Sequence, residues 1–353
     1  MNTYLIRKKL TQNCDFEIPQ IGSVKEKSKI LTMTQSKWKR RTLQIGITIL
    51  CITSAGVIGT SYGLLNYSLT PQTDNRNKAL KWHEADSLYP GLRTWHDSLK
   101  TLGKWQDTTI FATDGTKLYA EYVKADHSQG KTAVLVHGYG DCNVDMMPIG
   151  RMYADKLGMN ILLPDLRYAG KSEGNHIQMG WNDRLDIKQW VSTLPQLFGD
   201  SAKAVIHGVS MGAATTMMLS GETDIPAYVK GFVEDCGYTS VDEQFSKELY
   251  ERFHLPRQPF IPIASTICRY KYGWTFKEAS ALEQVKKCKR PMLFIHGSAD
   301  KFVPTRMVYP LYAAHSGPKE LWITPGVEHA RSYHDYPKEY LNKTKAFLEI
   351  CFR

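Results

Sequence analysis

Read for its pattern of apolar and polar positions, the chain falls into an apolar run, a mixed connector and a long alternating region. The apolar run is Leu43 to Leu65, LQIGITILCITSAGVIGTSYGLL, 23 residues without a charge. A helix rises about 1.5 Å per residue, so this run is long enough to cross a hydrocarbon core of about 30 Å. Residues 67–107 read as a helical connector whose Trp82, Trp95 and Trp105 are expected to pack on the domain that follows. From about residue 108 short apolar runs alternate with helical stretches. TTIFATDG and KLYAEYV flank Asp114-Gly115 and predict a hairpin. TAVLVHG (132–138), NILLPDL (160–166), AVIHGVS (204–210) and PMLFIHG (291–297) are uninterrupted, as strands buried on both faces must be. KGFVEDC (230–236) and ELWITPG (320–326) resemble them, and helical stretches such as 182–198 and 211–221 separate most of the set. The pattern predicts an α/β fold, a mostly parallel sheet flanked by helices with right-handed crossovers. The interval 237–290 is too long for a crossover and rich in aromatics, among them Tyr238, Phe245, Phe253, Phe260 and Trp274. It predicts a helical cap over the site.

The net charge of +10 changes meaning once it is located. Residues 1–41 hold ten Lys and Arg against Asp15, Glu17 and Glu26, and residues 42–73 hold no charge. The remainder carries 35 basic and 32 acidic residues, so the folded region is nearly neutral and offers no basic face for nucleic acid. Lys37, Lys39, Arg40 and Arg41 lie just before the apolar run, whereas the first charge after it is Asp74. The positive-inside rule then predicts a basic cytoplasmic tail (1–41), a transmembrane signal-anchor (42–66) and an extracytoplasmic catalytic domain (108–353). A cleaved signal peptide is the competing reading, with translation from Met33 and a cleavage site near Thr53-Ser54-Ala55, which would give a secreted protein. Apolar residues continue past that point and favour the anchor. Leu50 before Cys51 is too bulky for the usual lipidation signal.

Candidate chemistry concentrates at four strand ends. Gly208-Val209-Ser210-Met211-Gly212 lies between the strand AVIH and the helical AATTMMLSG. So tight a turn needs glycine at both flanks and leaves Ser210 at a helix N-terminus, where backbone N–H groups favour anionic charge. A serine hydroxyl is a poor nucleophile without a base, and His329 follows the last strand. Asp300, after MLFIHG, is the carboxylate that would orient the imidazole. Asp235 is the alternative acid and His334 the alternative base, while His137, His207 and His296 are expected to be structural and Glu328 to point elsewhere. Two N–H donors for an oxyanion are expected from Met211 and from Tyr139 in the loop His137-Gly138-Tyr139-Gly140. No His/Cys/Asp cluster has ligand spacing, so neither a metal nor an organic cofactor is implied. Seven cysteines match no zinc motif. Export would permit a disulfide, with Cys268 and Cys288 the first pair to test, though free buried thiols fit better.

These segments together resemble the α/β-hydrolase superfamily, and more narrowly bacterial membrane-anchored hydrolases of the serine aminopeptidase-like group. The resemblance rests on VHGYGD (136–141), PDLRYAGKSEG (164–174), GWNDRLDIKQW (180–190), GVSMGAATTMMLSGE (208–222), EDCGYTSVDEQF (234–245), HGSADKFVP (296–304) and GVEHARSY (326–333). It implies an α/β-hydrolase fold with Ser210, Asp300 and His329 as triad and Tyr139 and Met211 as oxyanion hole. It also implies a structural loop carrying Asp165, Arg167 and Gly170, with Tyr168-Ala169 departing from the Gly-His common among relatives. The expected activity is hydrolysis of a small-molecule carboxylic ester. A peptidase or amidase acting on short peptides is the second reading, for which Glu243, Glu248 and Glu251 are candidate amino-terminus binders. A catalytically silent, membrane-tethered binding protein is the third.

Overall fold

The computed structural model describes residues 24–71 and 76–353, so most of the basic tail and Cys14 lie outside the described residues. The chain divides into two compact units, Met1–Gly56 and Val57–Arg353. A single helix, α1 (Val24–Leu69), runs through the division. It is longer than the expected span of 42–66 and takes in residues 24–41 of the expected tail. That stretch has no Gly or Pro and holds seven Lys or Arg among its 18 residues, so nothing breaks the helix before the apolar run.

The second unit begins with α2 (Lys78–Leu88) and α3 (Leu92–Thr101). The Asn77 side chain caps α2 by accepting from Leu80 N–H at 3.2 Å. Trp82, Trp95 and Trp105 are all buried, and the Trp95 and Trp105 indoles donate to Asp155 and Glu121 at 2.9 and 3.1 Å. These side chains therefore pack α2 and α3 on the domain that follows. The sheet starts earlier than residue 108, because Trp105 already pairs with Val123 across the first hairpin.

The remaining elements follow in chain order. They are β1 (Trp105–Phe111), β2 (Lys117–Val123), β3 (Lys131–Val136), α4 (Met147–Arg151), β4 (Asn160–Pro164), α5 (Asp183–Ser192), α6 (Leu194–Phe198) and β5 (Lys203–Val209). Then come α7 (Met211–Ser220), β6 (Val229–Asp235), α8 (Val241–Phe253), α9 (Arg257–Tyr272), α10 (Ala281–Val285), β7 (Met292–Gly297), α11 (Val308–Ala314), β8 (Lys319–Thr324), α12 (Ser332–Asp335) and α13 (Pro337–Cys351). The eight strands form one sheet in the order β1-β2-β4-β3-β5-β6-β7-β8. The β1–β2 and β2–β4 pairs are antiparallel, and every other pair is parallel. Successive side chains point to opposite faces of a strand. Val134, Leu162, Ile206, Phe232 and Phe294 thus enter one core with α5, α7 and α11. Leu135, Ile161, Val205, Val233 and Leu293 enter the other with α2, α3 and α13. Both faces are dry, which is why the strands read as unbroken apolar runs.

Two expectations narrow. The cap is built on α8 and α9, and Phe276 meets Phe245 of α8 edge-on at 5.0 Å and lines the same cleft, whereas Trp274 and α10 are buried in the main core. Cys268 and Cys288 are free buried thiols, and all six described cysteines are unpaired. The loop after β4 has the structural role foreseen for it. The Asp165 carboxylate accepts from Asn143 and Lys171 N–H at 2.8 and 2.9 Å, and Arg167 Nη2 donates to Asp186 at 2.9 Å.

Glu234 on β6 is fully buried; its Oε2 accepts from Gly237 N–H at 3.0 Å, and Oε1 has no partner among the described residues. Burial pushes its carboxyl up to about 8. A raised folded pKa means that the folded state holds the proton more tightly. The associated stability is fully present below the unfolded value of about 4.3 and is lost as pH climbs through about 8. The melting midpoint is therefore expected to fall between pH 5 and pH 8 by several degrees, and Glu234→Gln to flatten that fall. Thermal denaturation of both proteins across the range measures it, and equal slopes would contradict the assignment.

Candidate active site

Parallel pairing brings the carboxyl ends of β5 to β8 level, since Val209 pairs with Asp235, Asp235 with Ile295, and Gly297 with Thr324. Open α/β sheets bind ligands along such an edge. Ser210 leaves β5 at φ 58° and ψ −118°, immediately before α7. This left-handed turn holds because the residues two before and two after it, Gly208 and Gly212, have no side chains. A β-carbon on Gly208 would come within 2.0 Å of Gly212 O, and one on Gly212 within 2.0 Å of Val136 O. Ser210 N–H donates to Asp235 O at 2.8 Å and closes the turn against β6.

Ser210 Oγ lies 2.8 Å from His329 Nε2, and His329 Nδ1 lies 2.7 Å from Asp300 Oδ2. The Asp300 carboxylate is well held: Oδ1 accepts from Phe302 and Val303 N–H at 2.9 Å each. Burial opposes its charge, but hydrogen bonds from His296 and His329 prevail and hold the carboxyl at about 2. An ionised carboxylate can only accept, so His329 carries its hydrogen on Nδ1 and turns a bare Nε2 to the serine hydroxyl.

The loop after β3 lies against Ser210, because a β-carbon on Gly138 would stand 3.5 Å from Ser210 Cβ. Lys81 of α2 steadies this loop from outside. It is buried and reaches Asp141 and Asp145 at 3.2 Å each. Tyr139 and Met211 line one cleft together with Ser210. The Tyr139 hydroxyl donates to Thr70 O at 2.9 Å, so the phenol points to the end of α1.

The alternative residues lie elsewhere. Asp235 is buried, accepts from the Tyr340 hydroxyl at 3.0 Å, and is pushed up to about 6 by burial. His334 bonds Asp335 at 2.6 Å and Arg331 at 2.9 Å, and Glu328 is exposed. Cys236, Asp300 and His329 each bring a donor atom to within 4.8 Å of one another. Both His329 nitrogens are already engaged there, and burial keeps the Cys236 thiol protonated. The trio is therefore a weak donor set for a metal, with no thiolate to offer.

With this geometry described, likeness to known proteins becomes informative. The sequence pattern of the prolyl oligopeptidase family matches residues 167–353, over half of the chain. The chain belongs to the prolyl oligopeptidase family. It is thus a hydrolase of the α/β-hydrolase superfamily, as its motifs predicted. The narrower likeness to serine aminopeptidases remains an expectation. Protein YqkD of Bacillus subtilis, itself uncharacterized, is 30% identical over 228 residues, covering 65% of this chain and 74% of YqkD. The Arabidopsis thaliana α/β-hydrolase domain-containing protein WAV2 is 24% identical over 219 residues, covering 59% of this chain and 66% of its own. Among solved structures, the Pyrococcus furiosus esterase Pf2001 superposes with a TM-score of 0.57 at 24% identity, over 71% of this chain and 94% of that one. An acylaminoacyl peptidase in complex with a chloromethyl ketone superposes at 0.51 and 18% identity, over 70% of this chain and 41% of that one. Both likenesses concern the fold.

Two features of this family member escaped the sequence. His296, expected to be structural, does donate to Val303 O at 2.8 Å, but its Nε2 also lies 3.4 Å from Asp300 Oδ2. Its place one residue inside the strand end, four before Asp300, was the available signal. The other is the end of α1, which borders the cleft through Leu64, Leu65, Tyr67 and Ser68. Hydropathy marked Leu64 and Leu65 as anchor, and Tyr67 and Ser68 fell in the expected connector.

The turn makes a direct demand on glycine. Gly212→Ala is expected to destabilise the fold by about 1–3 kcal/mol or more, because the clash is with backbone rather than a movable side chain. Urea unfolding measures this, and a loss below about 0.5 kcal/mol would mean that the turn relaxes freely.

Proposed function

We propose that this chain is a serine hydrolase that cleaves carboxylic esters through an acyl-enzyme. The observation that carries the reading is the continuous relay from Asp300 through His329 to Ser210, at 2.7 and 2.8 Å. Ser210 Oγ attacks the ester carbonyl as His329 Nε2 takes its proton, and Asp300 stabilises the imidazolium that forms. The Met211 and Tyr139 N–H groups hold the oxyanion. The imidazolium then gives its proton to the departing alcohol. A water molecule, deprotonated by the same imidazole, attacks the acyl-serine and releases the acid and free Ser210.

Peptide cleavage is the second reading, and membership of the prolyl oligopeptidase family favours it. A site for a free amino terminus is harder to support. Glu248 faces Lys247 and Arg252 at 2.9 and 2.6 Å, Glu251 faces Lys247 at 2.7 Å, and Glu243 pairs with Arg306. Each candidate carboxylate already has a cation. A silent binding protein would have no use for the relay.

We also propose that α1 is an uncleaved anchor and that residues 108–353 act on the extracytoplasmic side. Leu43, Ile47, Leu50 and Ile52 are exposed, and an apolar helix surface of that kind suits lipid. Thr53-Ser54-Ala55, the candidate cleavage site, is helical and the helix continues to Leu69.

A fluorophosphonate probe is expected to label the full chain, and Ser210→Ala to abolish labelling. Ester turnover should fall by about 10⁶ in Ser210→Ala and about 10⁴ in Asp300→Asn. Acyl esters are expected to be cleaved in preference to aminoacyl amides. Labelling that survives Ser210→Ala would overturn the assignment, and faster amide cleavage would favour the peptidase.

A further inference from the structure

The cleft beside Ser210 encloses about 900 Å³, counting the part open to solvent. Phe245, Leu249, Phe260 and Ala264 of the cap form one wall. Its two charged residues, Glu248 and Arg252, pair with each other at 2.6 Å. A further part of the lining is the end of α1, where Leu64 and Leu65 border the cleft and Leu65 is only 1% exposed. Polar contacts tie that end to the cap. Lys271 Nζ of α9 donates to Asn66 Oδ1 at 3.1 Å and to the Tyr62 hydroxyl at 3.4 Å. The Tyr67 ring meets Phe253 of α8 edge-on at 5.8 Å. The helix end is therefore a built component of the cleft.

We infer, resting on the ester-hydrolase reading above, that this cleft holds a medium or long unbranched acyl chain and that α1 supplies one wall of the acyl site. A carbonyl held at Ser210 leaves its chain to run along surfaces of Leu, Phe and Ala, with no unpaired charge to solvate. The placement also suits a substrate from a bilayer. The apolar run ends at Leu65, so the wall residues 64–68 are those that would emerge at headgroup depth. Tyr67 and Phe253 border the cleft and are exposed, as aromatic side chains at a membrane interface are. Anchor and acyl site are then one structure: the segment that holds the enzyme on the membrane also shapes what it accepts.

The test uses the full chain in nanodiscs of a dialkyl ether phospholipid, which offers no ester bond. The substrates are 4-nitrophenyl esters from acetyl to dodecanoyl. The ratio of kcat/KM for the decanoyl over the acetyl ester is expected to exceed about tenfold, with roughly fourfold per methylene as the ceiling. Leu64→Gln places a polar group in the α1 wall and Ala264→Trp fills the cap side. Each is expected to lower that ratio about tenfold, and fluorophosphonate labelling rates report whether Ser210 remains competent. Should Ala264→Trp fail to fold, Leu64→Gln carries the test. A flat or falling chain-length profile in a labelled enzyme would overturn the inference, as would variants whose ratio equals that of the parent. Absence of both labelling and ester cleavage would instead mean that the hydrolase reading itself has failed, and the inference with it. A second arm supplies the decanoyl chain as a diacyl phosphatidylglycerol in the discs. Cleavage there assigns a membrane lipid source, and cleavage of the soluble ester alone assigns a dissolved one.

Discussion

Between β3 and the first turn of α7 there is no room for a single extra carbon atom. Val136 O and Gly212 approach so closely that a β-carbon at 212 would overlap the carbonyl, and Gly208 meets Gly212 in the same way. This contact sets the angle at which the chain leaves β5, and that angle lifts Ser210 onto the sheet edge with φ 58°. The strain of a non-glycine residue in that region, on the order of 1–3 kcal/mol, is sustained because the cores on both faces of the sheet over-determine the turn. Everything proposed for the site depends on it. The imidazole of His329 has a hydroxyl to meet only because the turn points it there.

Electrostatics then sorts two buried carboxyls at the same edge into different states. Asp300 receives two backbone N–H groups and the His329 imidazole, and lies near 2. Asp235, with the Tyr340 hydroxyl, is raised by burial to about 6. Asp235 is the more deeply buried of the two and has fewer donors, so its carboxyl stays high while that of Asp300 falls. Only Asp300 stays reliably ionised in the neutral range, which fits the role of orienting the base. The neighbouring histidines show the complementary result. His207 is buried between the Tyr153 and Tyr340 hydroxyls at 3.0 and 2.8 Å and pushed down to about 3. It is a neutral strut, although in sequence it precedes a glycine at a strand end much as His296 does.

The α1 helix joins two physical problems usually treated apart. An apolar run of this length needs an apolar environment, and an acyl cleft needs apolar walls. In the proposed reading one helix meets both demands, and Lys271, Asn66 and Tyr62 tie its end to the cap.

Local pattern was enough for the parallel core, since strands buried on both faces cannot alternate and are bounded by glycine-rich turns. It was also enough for Ser210, Asp300 and His329 as candidates, because each follows a readable strand at the end where α/β sheets bind ligands. Other features have no local signature. The extent of the cap depended on tertiary packing: Trp274 is buried in the main core, while Phe276 packs on Phe245 and lines the cleft. The contact between His296 and Asp300 follows from the course of the loop after β7, which folds back over its own strand. Leu64 and Leu65 carry the same hydropathy whether they face lipid or a cleft. Sequence determines how apolar a residue is, but tertiary structure decides what it touches, because side chains hundreds of positions apart meet only when the sheet's registry brings them together.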